Sequence, residues 1–156
     1  MAEGRESGAP VIGVDLGGTK IMAGVVGADH KILGRGKRNT PAKDGGEAIL
    51  KTMLECIDEA LAEAGLARAD VVAAGVGSPG PLDTEAGVIL YSANMNVKNF
   101  ALGPDLSKAL GVPVKVDNDV RVGGYGEFML GAARGYTDVI AAFVGTGIGG
   151  CLIQGG

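Results

Sequence analysis

The sequence predicts an α/β protein built around a small sheet, and three observations carry that prediction. Short apolar runs bounded by turn residues recur along the chain, and one long stretch, Asp44–Ala64, has its apolar residues at helical spacing. Glycine supplies 29 of the 156 residues, far above the usual share of about 7%. The glycines gather at the ends of apolar runs, as Gly17-Gly18, Gly75/Gly77/Gly80 and Gly145/Gly147/Gly149/Gly150. Glycine tolerates positive φ and lets a ligand approach the backbone, so several such turns point to loops converging on one ligand.

Val11–Leu16, Ile21–Val26 and Lys31–Arg38, separated by the turns Gly17–Lys20 and Gly27–His30, read as a three-stranded antiparallel meander. Asp15 looks like a buried acid in its first strand, and His30 is a solvated turn residue. Asp44–Ala64 reads as a helix whose buried face is Leu50, Leu54, Ile57, Leu61 and Ala64. Asp44 and Glu47 have the spacing of a capping box and Gly65 supplies the stop. Val71–Val76 is a strand running into Gly77-Ser78-Pro79-Gly80-Pro81, and Val88–Tyr91 another, before a polar loop at Ser92–Asn96. Pro104–Leu110 is a short helix with proline in its first turn, and Val112–Val116 a strand closing on Asp117-Asn118-Asp119. A helix then runs to about Ala133 with Gly123, Gly124 and Gly126 inside it. Each interior glycine costs about 1 kcal/mol relative to alanine, so a neighbour must come close there. Val139–Val144 and Cys151–Gln154 are strands.

Hydrophobic residues make up 46% and charged residues 21% of the chain, enough apolar material to bury a core. Fourteen Lys+Arg against eighteen Asp+Glu give a net charge of −4, which argues against a nucleic-acid partner. With 4% aromatics and no Trp, stacking on bases is not the expected binding mode. Cys56 and Cys151 are too far apart for a metal or redox motif. No apolar run approaches the roughly 20 residues that span a bilayer, and the polar start has no signal-like stretch. A cytoplasmic protein without membrane contact is expected.

Gly13–Lys20 invites comparison with a P-loop but fails it. Lys and Thr stand in the wrong order, and the next run, Ile21–Val26, reads as strand where a P-loop opens a helix. The segment is either an ordinary tight hairpin or a hairpin whose backbone N–H groups cradle phosphate. In the second case Asp15 is placed to hold a hydrated Mg²⁺. Gly145-x-Gly147-x-x-Gly150 and Gly75-x-Gly77-x-x-Gly80 match a dinucleotide fingerprint only formally, because neither opens a helix. Asp117-Asn118-Asp119 is either a helix cap or a carboxylate held at a strand end to take a proton from a hydroxyl. In that second reading, Asn118 and Asn94 are amides suited to sugar hydroxyls.

Five segments occur in order: Val11–Lys20 (VIGVDLGGTK), Gly75–Asp83 (GVGSPGPLD), Asn94–Phe100 (NMNVKNF), Asn118–Gly135 (NDVRVGGYGEFMLGAARG) and Gly145–Gly150 (GTGIGG). They resemble the successive motifs of the ROK family of bacterial glucokinases, related sugar kinases and repressors. The resemblance implies an actin-like, ribonuclease-H-like ATPase fold. Residues 1–10 would be a disordered tail, 11–118 the N-terminal sugar kinase lobe, and 119–156 an interdomain helix and the incomplete start of a C-terminal lobe. It implies ATP-dependent phosphorylation of a hexose, with glucose foremost and Mg²⁺ as the metal. Asp119 would be the general base. Asn94 and Asn118 would be sugar ligands, and Gly77, Ser78 and Pro79 the sugar-side loop. Gly17, Gly18, Thr19 and Lys20 would form one phosphate hairpin, and Gly145, Thr146 and Gly147 a second. The family's later motifs are not present, so an inactive fragment is expected that self-associates through its C-terminal segment or pairs with a complementing C-terminal chain. The rival reading is a fragment of a sugar-responsive repressor. Only ten residues precede Val11, too few for a DNA-binding helix-turn-helix there, and this favours the kinase.

Overall fold

The computed structural model describes residues 8–144 and 148–156. The expected tail falls mostly on residues 1–7, and the second phosphate hairpin on Gly145, Thr146 and Gly147; both lie outside the described residues. The elements run β1 (Val11–Leu16), β2 (Lys20–Val26), β3 (Ile32–Asn39), α1 (Gly45–Ala64), β4 (Ala74–Ser78), β5 (Leu82–Asp83), β6 (Val88–Ser92), β7 (Val97–Phe100), α2 (Leu102–Leu110), β8 (Val114–Asn118), α3 (Asp119–Leu130), β9 (Val139–Val144) and β10 (Ile148–Ile153).

The main sheet has the order β3-β2-β1-β4-β8. The first three strands form the expected meander, and β4 and β8 add to β1 in parallel. Alternation is strict in β1 and β2: Ile12, Val14 and Leu16, with Ile21, Ala23 and Val25, point to one buried face. Against that face packs α1, through Ile49, Met53, Cys56, Ile57, Ala60 and Leu61. Each buried Leu, Ile or Met here contributes about 1.5–3 kcal/mol of burial, so this face is the core. The buried stripe is turned relative to the one predicted: Ile57 and Leu61 lie on it, whereas Leu50, Leu54 and Ala64 sit at its margin. Burial of Cys56, whose Sγ donates to the Ile21 carbonyl at 3.5 Å, pushes its thiol pKa up.

Gly65 ends α1 in the left-handed conformation (φ 68°), as expected. The capping box at its start does not form: Asp44 makes no side-chain cap. The chain enters through Gly45 at φ 81°, and the Phe100 ring lies within 3.0 Å of where a Cβ on Gly46 would sit. Phe100 therefore closes this end in place of a polar cap.

Helix and edge strand come unusually close. A Cβ on Gly34 would overlap the Ala60 carbonyl, and one on Gly36 the Cys56 carbonyl. The outward N–H groups of Arg35 and Lys37 on this edge are taken by Glu63 Oε2 (2.9 Å) and Glu59 Oε2 (3.3 Å), and Arg38 pairs with Glu59. Carboxylates from α1 thus occupy donors that an open edge would offer to another chain.

Several boundaries differ from expectation. β4 starts at Ala74 and runs through Gly77 to Ser78, and β8 runs to Asn118, so both strands reach the glycine and acid motifs rather than stopping short of them. Beyond Ser92 the expected polar loop is a short 3-10 turn, Ala93–Met95, leading into β7, which pairs with β6 in a separate three-stranded sheet. α3 ends at Leu130, and β10 begins at Ile148.

Unlike α1 and α2, α3 lies on the other face of the main sheet and carries the β9–β10 pair. The close neighbour predicted for its glycines is this second sheet. Phe143 lies 2.9 Å from where a Gly123 Cβ would be, and Cys151 Sγ occupies the place of one on Gly124. Gly126 meets nothing within 4 Å. The outer face of the pair is apolar and open, with Ile140, Val144 and Ile148 each about 80% exposed (83%, 79% and 81%).

Two substitutions separate a required glycine from a dispensable one. Gly36→Ala drives a methyl into the α1 backbone and should destabilise the chain by about 1–3 kcal/mol or more. Gly75→Ala, with nothing within 4 Å of its Cβ, should change stability by less than about 0.5 kcal/mol. Urea denaturation of the two variants beside wild type measures both.

Candidate functional site

β1, β4 and β8 run parallel, so their C-terminal ends share one edge of the sheet, where open α/β sheets place their ligands. The register aligns Asp15 with Gly77, Gly77 with Asp117, and Ser78 with Asn118. α3 begins at the next residue, Asp119, and folds back over the end of β4. A Cβ on Gly77 would lie 3.3 Å from Asp119 Cα. Asp15, Gly77 and Asp119 thereby line one open cleft of about 950 Å³, together with Met22, Val122 and Phe143. Its floor is the uncovered face of β1 and β2, and its far end carries Arg35, Lys37 and Glu59.

Asp15 is exposed on this face, not buried as its apolar flanks suggested. Its pKa is nonetheless raised, first because surrounding protein strips part of its water and second because the negative charge of Asp119 is nearby. Two carboxylates are thus held in one cleft. Among the described residues no cluster of three or more His, Cys, Asp or Glu is placed to hold a metal. That donor set does not make an all-protein cage. It fits Mg²⁺, which keeps several waters and takes one or two carboxylates beside substrate phosphates.

Asn118 is the N-cap of α3. Its Oδ1 accepts from the N–H groups of Val120 (3.1 Å) and Arg121 (3.2 Å), and its Nδ2 donates to Asp119 Oδ1 at 3.0 Å. Asp119 Oδ1 also accepts from Val120 N at 2.9 Å. Asp117 Oδ1 accepts from the Asn118 N–H at 2.7 Å and pairs with Arg121 Nη1 at 3.2 Å. Capping and the placing of a carboxylate at the strand end are therefore achieved by the same three residues. The Asp117–Arg121 pair was not legible in the sequence, because Asp117 lies in β8, outside α3, where helical i,i+4 spacing does not apply.

The β1–β2 hairpin is tight. Gly17 N–H donates to the Lys20 carbonyl (2.9 Å), and Thr40 braces it by donating Oγ1–H to the Gly17 carbonyl (2.6 Å) and N–H to Thr19 O (2.9 Å). Gly18 and Thr19 are exposed, and among the described residues their N–H groups have no partner, which is what a phosphate cradle requires. Asn94 comes to this hairpin: its Cβ lies 3.8 Å from where a Gly18 Cβ would be. Ser78 is fully buried at the end of β4, its Oγ donating to Pro79 O at 3.3 Å, so its hydroxyl is turned into the protein and not presented to the cleft.

The model of the ROK family matches residues 11–156. The chain belongs to the ROK family. It is 36% identical to a glucokinase of Thermotoga maritima over 94% of its own length and 45% of that relative's. A crystal structure of a Streptomyces griseus ROK glucokinase in complex with glucose and AMPPNP superposes with a TM-score of 0.83 at 36% identity, over 94% of this chain and 45% of the other. A ROK family transcriptional regulator, a homologue of the E. coli MLC protein, superposes with a TM-score of 0.82 at 25% identity, over 94% and 37%. The chain thus spans a little under half of the relatives it matches. The fold is the actin-like ATPase fold of these ROK glucokinases.

Because the pKa of Asp15 is raised on folding, the native state holds its proton more tightly than the unfolded chain. Its contribution to stability is full below the unfolded value and is lost as pH rises through the raised one. Asp15→Asn should therefore raise Tm at pH 7, with the gain disappearing as the buffer is taken down past the ordinary carboxylate range. Millimolar Mg²⁺ should raise the Tm of wild type at pH 7 and leave Asp15→Asn unmoved. Thermal scans across pH, with and without the metal, check both.

Proposed function

We propose that this chain forms the sugar-binding lobe and first phosphate-binding elements of an ATP-dependent hexose kinase, with glucose as the foremost substrate. The observation that carries this reading is the meeting of Asp119, Asp15 and the open β1–β2 hairpin at one edge of the parallel strands. Phosphoryl transfer to a hydroxyl needs positioning, charge neutralisation and a group to accept the hydroxyl proton, and this edge offers a group for each. In the reading, Asp119 takes the proton from the attacking hydroxyl. Asn94, beside the β1–β2 hairpin, binds sugar hydroxyls, and Asn118, with one N–H beyond its internal bonds, offers a second contact. Gly17, Gly18, Thr19 and Lys20 face the phosphates, and Gly145, Thr146 and Gly147 would form the second hairpin. Mg²⁺, held by Asp15 through water, would neutralise phosphate charge when bound. Support also comes from the Streptomyces griseus relative, whose structure contains glucose and AMPPNP.

α3 would be the element joining this lobe to a second one, and residues 11–118 the lobe itself. The apolar outer face of β9–β10 would be covered by a second copy or by a complementing C-terminal chain. The repressor reading rests on the likeness to the ROK regulator, at 25% identity against 36% for the glucokinases. Binding of sugar without phosphorylation once a complementing C-terminal lobe is supplied would favour it.

Isothermal titration of glucose, and a coupled glucose-phosphorylation assay on the chain completed by a C-terminal lobe, test the proposal. Asp119→Asn should lower kcat by at least about 10²-fold while glucose still binds. Asn94→Ala should weaken glucose and leave the ATP KM nearly unchanged, because a site built to hydrogen-bond hydroxyls is left with unpaired groups. Turnover near wild type in Asp119→Asn would return Asp119 to a purely structural role. For assembly, Ile140→Lys with Ile148→Lys should shift the chain toward monomer in light scattering.

A further inference from the structure

We infer that Asn118 is the positioning residue for Asp119, fixing which oxygen of the carboxylate is free to take a proton. This role presupposes Asp119 as the base of the proposed kinase, while the tether itself is a matter of geometry alone. Both Asn118 Oδ1 bonds come from backbone N–H groups at 3.1 and 3.2 Å, so the oxygen of the carboxamide must face α3 and its NH₂ must face Asp119. The reverse orientation would set an amide oxygen against a carboxylate and leave the Arg121 N–H without a partner. The orientation is therefore dictated by its partners on both sides.

The consequence falls on Asp119. Its Oδ1 receives Asn118 Nδ2 at 3.0 Å and Val120 N at 2.9 Å. Among the described residues nothing donates to Oδ2. A carboxylate with one oxygen bound twice cannot turn about its Cβ–Cγ bond without breaking both contacts, so Oδ2 is held as the single accepting oxygen. Asp117 and Arg121 close the same turn from outside. The Asp117 carboxylate accepts from the Asn118 N–H at 2.7 Å and pairs with the Arg121 guanidinium, while the Arg121 N–H is one of the two that hold Asn118 Oδ1. The base is thus fixed through a ring of contacts from Asp117 to Arg121, and the neutral amide between the two carboxylates is the member that reaches Asp119. An asparagine serving only as a cap would be replaceable by serine without effect on Asp119.

The test is NMR of the labelled chain joined to the phosphorylation assay. In wild type the Asn118 side-chain NH₂ should exchange with solvent about tenfold more slowly than those of the exposed Asn39 and Asn94, as a bond to a charged acceptor requires. Asp119→Ala should abolish that slowing while the Arg121 amide, capped by Asn118 Oδ1, stays protected. Asn118→Ser keeps a strong N-cap, so the Arg121 amide should remain protected, but kcat should fall about tenfold, in addition to any rise in glucose KM from the lost sugar contact. An Asn118 NH₂ indifferent to Asp119→Ala would overturn the tether. A loss confined to the glucose KM in Asn118→Ser would make the residue a ligand and not a positioner. If the chain together with a complementing C-terminal lobe phosphorylates no sugar, the kinase reading fails, and the exchange measurement still decides whether Asn118 holds Asp119.

Discussion

The geometry of the cleft depends on how closely α3 can lie on β4, and that is set at Gly77. Asp15, Gly77 and Asp117 form one row across three parallel strands, and α3 starts only one residue beyond β8. Its first residue must therefore turn straight back over the end of the neighbouring strand. A side chain at position 77 would meet Asp119 Cα at 3.3 Å and Val122 Cβ at 3.8 Å, pushing the helix outward and Asp119 away from Asp15. The pKa of Asp15 is raised mainly by partial loss of water and, second, by the nearby Asp119 charge that this approach brings. Backbone clearance and carboxylate proximity are two aspects of one contact.

The glycine excess has more than one cause. At Gly34 and Gly36 it lets α1 settle on the edge strand, and at Gly123, Gly124 and Gly149 it lets α3 interlock with the second sheet. Gly149 gives way to Val120, whose Cγ2 lies 2.5 Å from where a Cβ would be. Gly80 sits at φ 95°, with the Tyr91 carbonyl 2.8 Å from an added Cβ. Gly13 and Gly75 meet nothing, yet they stand beside Gly24 in one cross-strand row, Gly24–Gly13–Gly75. Packing does not require these residues to be small. Their effect is on the surface, where Gly13 and Gly24 leave part of the cleft floor beside Asp15 and Met22 without side chains.

Much of this architecture was legible. The alternation in Val11–Leu16 and Ile21–Val26 and the Gly65 stop are local signals, and local backbone physics decides them. The glycines of α3 correctly announced a close neighbour, because a helix bears that cost only against tight packing. What was not legible depended on tertiary contact. The capping box at Asp44–Glu47 had the right spacing but lost to Phe100, a residue far along the chain. β7 was hidden in a polar stretch because its strand character comes from pairing with β6, not from its own sequence. Asp15 was read as buried from its apolar neighbours, although alternation along the same strand already placed it on the face opposite Val14 and Leu16. Of the candidate site, the sequence named Asp119 and its neighbours; the internal bonding of Asn118 required coordinates.

α3 also shows why the residues of the site are bound to the integrity of the fold. Gly124 is its only buried residue among those described, so the helix gains little from burial of its own side chains. It is secured instead at its N-terminus and by its contact with β9–β10. A good N-cap contributes about 0.5–2 kcal/mol, and an exposed pair such as Asp117–Arg121 about 0–1 kcal/mol. These are modest terms, but on a helix with so little buried surface they are a large share of what holds its first turn. The same groups orient Asp119. A helix stabilised by burial would leave its N-terminal residues free to vary, whereas here the turn that aims the carboxylate is the turn that keeps α3 in place.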